Sequence, residues 1–319
     1  MRAFQVLSHE RSPELIEITE PRPGRGEVLL EILACGLNFA DLLMAKGTYQ
    51  ETPSAPFTLG LEVCGTVLDQ GEGVDFPPLG ARVALVAGFG GLAERGVFAA
   101  SACRIVPDAM PDEVAAGFQI AYGTSHLALT RRAQLRAGER LVVLGAAGGV
   151  GLTAVEIGKA LGAEVIAVAR GAEKLGIAKE AGADNLIDAE ADLVAEIKAL
   201  GGADVVYDPV GGAAFEAALR ACNREARILS IGFASGDVPK IPANILMVKN
   251  VTVIGFYWGG YMKFAPNALL ESLSEVMSWY AEGRLKPHIS HVLPLARTDE
   301  ALALLAERKA TGKVVVVPK

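Results

Sequence analysis

The sequence predicts an α/β protein in which a twisted, barrel-like β domain accompanies a doubly wound parallel sheet. From Met1 to about Pro111, short apolar runs such as GEVLLEILACGL at 26–37 are interrupted by Gly and Pro, a pattern typical of β-strands. After Arg136, strand-like runs alternate with helical stretches of about ten to fifteen residues, which favours βαβ units and a parallel sheet.

The second region yields a series of strands and helices. Apolar runs predict strands at 140–146, 164–170, 185–188, 203–210, 227–233 and 250–258. Helical patterning predicts helices at 149–162, 172–183, 191–201, 213–223 and, ending at a glycine, 268–283. The tail KATGKVVVVPK at 309–319 predicts one more strand, which the pattern alone assigns equally well to either domain.

Composition and charge restrict the classes of function. The 319 residues carry a formal net charge of −7 without a basic block, which argues against a nucleic-acid surface. No apolar segment reaches the ~18 residues that span a bilayer, and the first residues lack a signal-like apolar core. We therefore expect a cytoplasmic protein without a membrane segment. The four cysteines are scattered, which predicts free thiols rather than disulfides or a zinc knuckle.

An apolar run ends abruptly in the glycine-rich segment LVVLGAAGGVG at 141–151. The segment follows a predicted strand, opens a predicted helix and matches the dinucleotide fingerprint, with Ala146 in place of the first glycine. Glycines let a diphosphate approach the backbone, and the free N–H groups of the helix N-terminus attract its negative charge. We therefore predict that a dinucleotide binds at Ala146, Ala147, Gly148, Gly149, Val150 and Gly151.

The end of the second strand of this region indicates which dinucleotide binds. An Asp or Glu there would hold the ribose hydroxyls of NAD, but the segment VIAVARGAEK at 165–174 carries Arg170 and Lys174 instead. Cations at this place suit a 2′-phosphate, so NADPH is favoured and NADH is the weaker candidate. Glu173 lies between the two cations and weakens this preference.

Further motifs extend over nearly the whole chain. They are GLNFADLLMAKGTY at 36–49, LGLEVCGTV at 59–67, DPVGG at 208–212, LMVKNVTVIGFYWG at 246–259 and TGKVVVV at 311–317. Together with GAAGGVG they resemble the zinc-free quinone oxidoreductases of the medium-chain dehydrogenase/reductase superfamily. The resemblance implies a GroES-like catalytic domain at 1–118 and 285–319, a Rossmann domain at 119–284, and a homodimer joined through the last Rossmann strand.

The resemblance also indicates chemistry without a metal. Zinc-dependent relatives have ligands at the positions of Asn38, Leu61 and Ile120, and these three side chains cannot hold zinc. Without a Lewis acid, a conjugated acceptor is the favoured substrate, because hydride addition moves charge onto a distant oxygen that hydrogen bonds can stabilise. We expect an NADPH-dependent reductase of quinones or enones. A 2-enoyl thioester reductase and a non-catalytic NADPH-binding protein remain as alternatives.

Three residues on the segment 36–49 are candidate catalytic residues. Tyr49 would donate a hydrogen bond or a proton to the substrate oxygen, or it packs a loop. Asn38, at the vacated metal position, would contact the nicotinamide ribose or the substrate. Asp41 either contributes to the site or braces the loop. Glu62 lies in an apolar strand and needs a buried partner, so we expect it to be mainly structural.

The remaining cofactor contacts follow from the resemblance and from the strand ends. The resemblance places Thr124 near the nicotinamide. Ligands of an open α/β sheet bind beyond the carboxyl ends of its strands, which predicts contacts from Phe233, Ala234, Ser235, Phe256 and Tyr257. The last two, with Trp258, form either an aromatic wall for a planar quinone or part of a dimer interface. Many relatives have Tyr near Asp188, where an acidic group facing the site would repel a 2′-phosphate.

Overall fold

The chain divides into two compact units. The computed structural model describes all 319 residues, Met1–Lys319. Unit 1 contains Met1–Ile120 and His288–Lys319, and unit 2 contains Ala121–Pro287. The expected junctions, 118/119 and 284/285, therefore fall slightly before the observed ones.

The first part of unit 1 consists mainly of short strands. They are β1 (Arg2–Val6), β2 (Glu14–Glu17), β3 (Glu27–Gly36), β4 (Phe57–Thr58), β5 (Glu62–Gln70), β6 (Arg82–Val86), β7 (Arg95–Ala99) and β8 (Arg104–Ile105). Two helices accompany them, α1 (Phe39–Ala45) and α2 (Asp112–Leu127). Helix α1 was not predicted, because its seven residues are too few to show a helical period. The boundary between the units falls within α2.

Unit 2 is a parallel sheet with helices between its strands. The strands are β9 (Arg140–Leu144), β10 (Glu164–Ala169), β11 (Asn185–Asp188), β12 (Ala203–Asp208), β13 (Cys222–Ser230) and β14 (Thr252–Gly255). The helices are α3 (Gly149–Ala160), α4 (Ala172–Glu180), α5 (Leu193–Ala199), α6 (Gly212–Ala221), α7 (Ala243–Lys249), α8 (Trp258–Phe264) and α9 (Pro266–Ala281). All strands pair in parallel in the order β11-β10-β9-β12-β13-β14, which confirms the predicted doubly wound sheet.

The end of the chain returns to unit 1. It forms β15 (Ile289–Pro294), α10 (Thr298–Ala306) and β16 (Lys313–Val317). Strand β16 pairs antiparallel with β3, where Val316 lies opposite Cys35. The result is a seven-stranded sheet in the order β15-β16-β3-β5-β6-β8, in which β7 also pairs with β3. Unit 1 also contains a three-stranded sheet in the order β2-β1-β4. The sequence pattern alone did not assign the last strand to either domain. Its pairing with β3 assigns it to unit 1, as the resemblance implies.

Each unit has its own hydrophobic core. In unit 2, Val142 and Leu144 on β9 and Ile166 on β10 are fully buried, as expected for a parallel sheet that helices cover on both faces. In unit 1, β3 and β5 contribute Leu30 and Val63 to a second cluster. No helix combines the length and the apolar character that a membrane crossing requires. The cytoplasmic location stays a prediction.

Candidate cofactor and substrate sites

The glycine-rich turn of unit 2 connects β9 to the first turn of α3. Gly145 has a positive φ of 61°, which turns the chain sharply after the strand. The Ala146 N–H then donates to Val168 O at 3.0 Å, and the Gly148 N–H donates to Gly145 O at 3.0 Å. Gly148 is the N-cap of α3. Because the first N–H groups of a helix have no partner within it, this turn presents donors at the carboxyl edge of the sheet.

The structure separates the roles of two glycines in this turn. A Cβ at Gly151 would lie 2.2 Å from Gly145 O, so the fold itself requires glycine there. A Cβ at Gly148 would come no closer than 3.4 Å to Gly145 O, an ordinary contact, and the backbone of Gly148 is extended, with φ −79° and ψ 172°. Nothing within the protein demands glycine at 148. The side of Gly148 on which a Cβ would lie is therefore open to another group, and binding of a diphosphate there stays a prediction.

The buried hydroxyl group of Ser125 forms hydrogen bonds with the start of α3. Ser125 Oγ donates to Val150 O at 2.9 Å and lies 2.8 Å from Thr153 Oγ1 and 3.0 Å from Tyr207 Oη. These contacts connect α2 and β12 to the start of α3. The resemblance places the neighbouring residue Thr124, which is buried on α2, near the nicotinamide, whereas Ser125 was not predicted to have a role. An isolated serine in an apolar helix gives no signal of its own.

The carboxyl end of β10 contains the predicted cations among acidic neighbours. Arg170 is exposed, and its Nε lies 3.6 Å from Oε1 of Glu190. Asp188 accepts the Gly171 N–H at 3.0 Å and the Glu190 N–H at 2.9 Å. It therefore fixes the backbone beside Arg170, a role that the sequence did not reveal. Lys174 lies in the first turn of α4.

Backbone hydrogen bonds join the loop that follows β12 to the loop that follows β13. Asp208 Oδ1 accepts the N–H groups of Val210 and Gly211 at 2.8 and 2.9 Å. The Ala234 and Ser235 N–H groups donate to Pro209 O and Val210 O at 3.1 and 2.9 Å. Asp208 Oδ2 is buried without a hydrogen-bond partner, and burial raises the pKa of this carboxyl group. The predicted contacts at 233–235 thus form one edge with the DPVGG motif.

The aromatic residues after β14 differ in exposure. Phe256 and Trp258 are buried, and the ring centroid of Phe256 lies 5.6 Å from that of Tyr261. Tyr257 is partly exposed, and Phe233 is 40% exposed. Burial gives Phe256 and Trp258 a packing role within unit 2. Their contribution to a wall for a quinone stays a prediction.

Unit 1 contains a buried cluster of polar side chains around Glu62. Lys313 Nζ donates to Glu62 Oε1 at 2.6 Å and to Asn38 Oδ1 at 2.8 Å. Asn38 Nδ2 donates to Glu62 Oε1 at 3.2 Å, and the Ile120 N–H donates to Glu62 Oε2 at 3.0 Å. The expected partner of Glu62 is therefore Lys313. The sequence could not reveal it, since the two residues are separated by 251 positions.

Two of the three positions at which the resemblance places ligands of zinc-dependent relatives, Asn38 and Ile120, lie in this cluster. Asn38 and the backbone of Ile120 both bond to Glu62, and Leu61 is its neighbour in the chain. No group of three or more His, Cys, Asp or Glu side chains in the chain is arranged to hold a metal ion.

Asp41 and Tyr49 have different surroundings. Asp41 is fully buried; its Oδ2 accepts the Asn38 N–H at 2.8 Å and its Oδ1 accepts the Gly60 N–H at 3.2 Å. Burial raises the pKa of Asp41 from 3.8 to about 7, although the two N–H groups and Lys313 oppose the rise. Bracing of the loop accounts for these contacts, and Asp41 has no exposed surface with which to touch a substrate. Tyr49 packs partly against the core of unit 1, and the role of its hydroxyl stays a prediction.

Comparisons with known proteins agree with this architecture. The family model described as alcohol dehydrogenase GroES-like domain matches residues 24–108, and the one described as zinc-binding dehydrogenase matches residues 149–275. The quinone oxidoreductase-like protein 2 homolog of Nematostella vectensis is 39% identical over 303 residues, which cover 93% of this chain and 83% of that protein.

Solved structures of similar proteins match the whole chain. The quinone oxidoreductase of Thermus thermophilus, solved also as its complex with NADPH, has a TM-score of 0.88 and 34% identity, covering 99% of this chain and 100% of that one. The Escherichia coli quinone oxidoreductase complexed with NADPH has a TM-score of 0.91 and 30% identity, and the match covers 100% of both chains.

A GroES-like unit and a Rossmann unit with a glycine-rich turn define an oxidoreductase of the medium-chain dehydrogenase/reductase superfamily. Within that superfamily, the chain belongs to the quinone oxidoreductase-like family.

Proposed function

We propose that this protein is an NADPH-dependent reductase of quinones or related activated alkenes, and that it works without zinc. The observation that carries the proposal is the turn before α3, where the space beside Gly148 and the N–H groups of the helix suit a diphosphate. The similarity to quinone oxidoreductases solved with NADPH supports the choice of cofactor.

The residues of the turn at the end of β10 set the cofactor preference. Arg170 and Lys174 favour the 2′-phosphate of NADPH, because cations bind phosphate through charge-assisted hydrogen bonds. Glu190 lies 3.6 Å from Arg170 and competes for the same guanidinium group. We therefore expect NADPH to bind more tightly than NADH, with NADH still accepted.

The surroundings of Asn38 support chemistry without zinc. The resemblance places asparagine, leucine and isoleucine at the three ligand positions, and none of them is among the Cys, His, Asp and Glu side chains that bind zinc in dehydrogenases and structural zinc sites. When bound, NADPH supplies the hydride. Tyr49 is the candidate donor to the oxygen on which charge develops, and the protein contributes orientation and hydrogen bonds rather than a Lewis acid.

The proposal is tested by following the absorbance of reduced nicotinamide with and without 1,4-benzoquinone, using NADPH and NADH side by side. We expect acceptor-dependent oxidation that is faster with NADPH at low cofactor concentration and that persists after dialysis against a chelator. Metal analysis of the active protein should find no stoichiometric zinc. Absence of any acceptor-dependent oxidation would favour a non-catalytic NADPH-binding protein. Turnover restricted to enoyl thioesters would favour a 2-enoyl thioester reductase.

We also propose that two copies of the chain associate through β14. This strand is the edge of the parallel sheet, and an edge strand offers unpaired backbone groups to another strand. On the preceding helix α7, Met247 and Val248 are 73% and 72% exposed. Sedimentation analysis should give the mass of a dimer, and Val248→Glu should shift it toward the monomer. A monomeric wild-type protein would contradict this proposal.

A further inference from the structure

The buried ion pair of unit 1 needs an explanation beyond stability. The side chains of Lys313 and Glu62 are only 8% and 2% exposed, and their charged atoms lie 2.6 Å apart. Removing two charges from water is costly, and well-packed apolar residues often stabilise such a position equally well. A role in the function of the protein would account for a lysine at this place.

The pair determines the orientation of the Asn38 amide group. A lysine ammonium group can only donate hydrogen bonds, and a carboxylate can only accept them. Lys313 therefore holds Asn38 Oδ1, and Glu62 holds Asn38 Nδ2. A flipped amide would place its oxygen against the carboxylate and its N–H groups against the ammonium group, which both partners oppose.

The same contacts decide what Asn38 can still offer to a ligand. The two hydrogens of Nδ2 are directed at Glu62 Oε1, 3.2 Å away, and at Gly36 O, 3.3 Å away. Oδ1 has two lone pairs, and Lys313 uses one of them. Asn38 is partly exposed, and its remaining capacity is that of an acceptor.

The surrounding backbone holds the pair in place. The Ile120 N–H fixes the other carboxylate oxygen of Glu62 at 3.0 Å. A Cβ at Gly117 would lie 3.2 Å from the Cε atom of Lys313, so the absence of a side chain on α2 leaves room for the lysine stem. Lys313 and Glu62 thus have little freedom to adopt another arrangement.

We infer that Lys313, acting together with Glu62, is a positioning residue that presents Asn38 to its ligand only as a hydrogen-bond acceptor. The group that Asn38 binds must then be a donor, such as a hydroxyl. A ribose hydroxyl of the cofactor and the hydroxyl of a reduced quinone both fit this description, whereas a developing oxyanion does not. The inference rests on the proposed function in one respect, namely that Asn38 contacts a bound ligand.

A double-mutant cycle between Asn38→Ala and Lys313→Met tests this inference. The readouts are the Kd of NADPH, the kcat and KM for benzoquinone, and the unfolding temperature. Each single variant should weaken one ligand parameter about tenfold, the effect of one hydrogen bond. In the Asn38→Ala background, Lys313→Met should cause no further loss of that parameter, because Lys313 acts through Asn38. It should still lower the unfolding temperature in both backgrounds, since Glu62 loses its partner.

If the effects of the two substitutions are non-additive in the Kd of NADPH, Asn38 binds a hydroxyl group of the cofactor. If they are non-additive only in the kcat or KM for benzoquinone, Asn38 binds the substrate. Lys313→Arg, which keeps a donor, should recover most of the loss. Where Lys313→Met does not fold, the neutral pair Lys313→Met with Glu62→Gln replaces it. Lys159→Met is a matched control, because it breaks an ion pair with Asp184 on the surface of unit 2 and should leave the ligand parameters unchanged.

Equal losses from Lys313→Met in both backgrounds, in every ligand parameter, would overturn the inference. So would an Asn38→Ala variant with wild-type ligand parameters. A wild-type protein that binds NADPH but reduces no quinone would overturn the proposed function alone, since the cycle could still be measured on the Kd of NADPH.

Discussion

Replacement of Gly148 by alanine separates binding of the cofactor from folding of the turn. The added Cβ makes only one contact, at 3.4 Å, and the backbone is in a region that alanine adopts freely. Alanine has less conformational freedom than glycine in the unfolded chain, which raises the free energy of unfolding by about 0.4–1 kcal/mol. Loss of glycine as a favoured N-cap residue lowers it by a similar amount. We therefore expect the free energy of unfolding to change by less than about 1 kcal/mol.

The effect on the cofactor should be much larger. A methyl group beside the diphosphate would prevent at least one backbone hydrogen bond to a charged oxygen, which contributes about 1.5–3 kcal/mol. The Kd of NADPH should then rise about 10- to 100-fold. Fluorescence titration with NADPH measures this change, and urea denaturation without cofactor measures stability.

Two further variants provide the comparison. In Gly151→Ala the Cβ would lie 2.2 Å from Gly145 O, so the backbone must move, at a cost of about 1–3 kcal/mol typical of overpacking. Gly176→Ala introduces the same methyl group on α4, where nothing lies within 4 Å, and should leave the affinity for NADPH unchanged. Wild-type affinity in Gly148→Ala would show that the diphosphate does not bind against Gly148, and a loss of stability equal to that of Gly151→Ala would show that the fold itself requires glycine there.

Three other predictions concern cofactor choice, catalysis and pH. Alanine at both Arg170 and Lys174 should raise the Kd of NADPH at least tenfold more than that of NADH, as titrations with both cofactors would show; equal losses would remove the argument from the 2′-phosphate. Tyr49→Phe should lower kcat for benzoquinone about tenfold or more, with little change in the Kd of NADPH, and an undiminished kcat would leave Tyr49 a packing role. Because burial raises the pKa of Asp41 from 3.8 to about 7, the native state holds this proton more tightly than the unfolded chain. Its contribution to stability is full below about pH 4 and is lost as the pH rises through 7. Relative to Asp41→Asn, the wild type should lose about 2–3 kcal/mol between pH 5 and pH 8 in urea denaturation, and parallel pH profiles would contradict the shifted pKa.

The sequence predicted the sheet of unit 2 because its determinants are local. Strands such as β9 are buried on both faces and therefore appear as unbroken apolar runs. The glycine-rich turn interrupts such a run directly before a helix, which indicates both its place and its ligand class. The resemblance likewise predicts, from the neighbouring motifs, that Asn38, Leu61 and Ile120 occupy positions at which zinc-dependent relatives have ligands.

Sequence patterns could not show why each residue of a motif is present. Gly148 and Gly151 belong to the same fingerprint, but only coordinates show that the fold requires the second and leaves space beside the first. From the sequence, Asp188 would repel a 2′-phosphate if it faced the site; the structure shows that it accepts the Gly171 N–H, and its effect on a phosphate stays a prediction. The direction of a side chain depends on packing, and residue type alone does not specify it.

Local patterns in the sequence specify the order of the elements and the position of the glycine-rich turn. The pairing of the last strand with β3, which carries Lys313 to Glu62 and Asn38, becomes visible only in the folded chain. Local periodicity records which face of a strand is buried. It does not record which distant strand will pair with it, because that choice is made by the packing of the whole sheet.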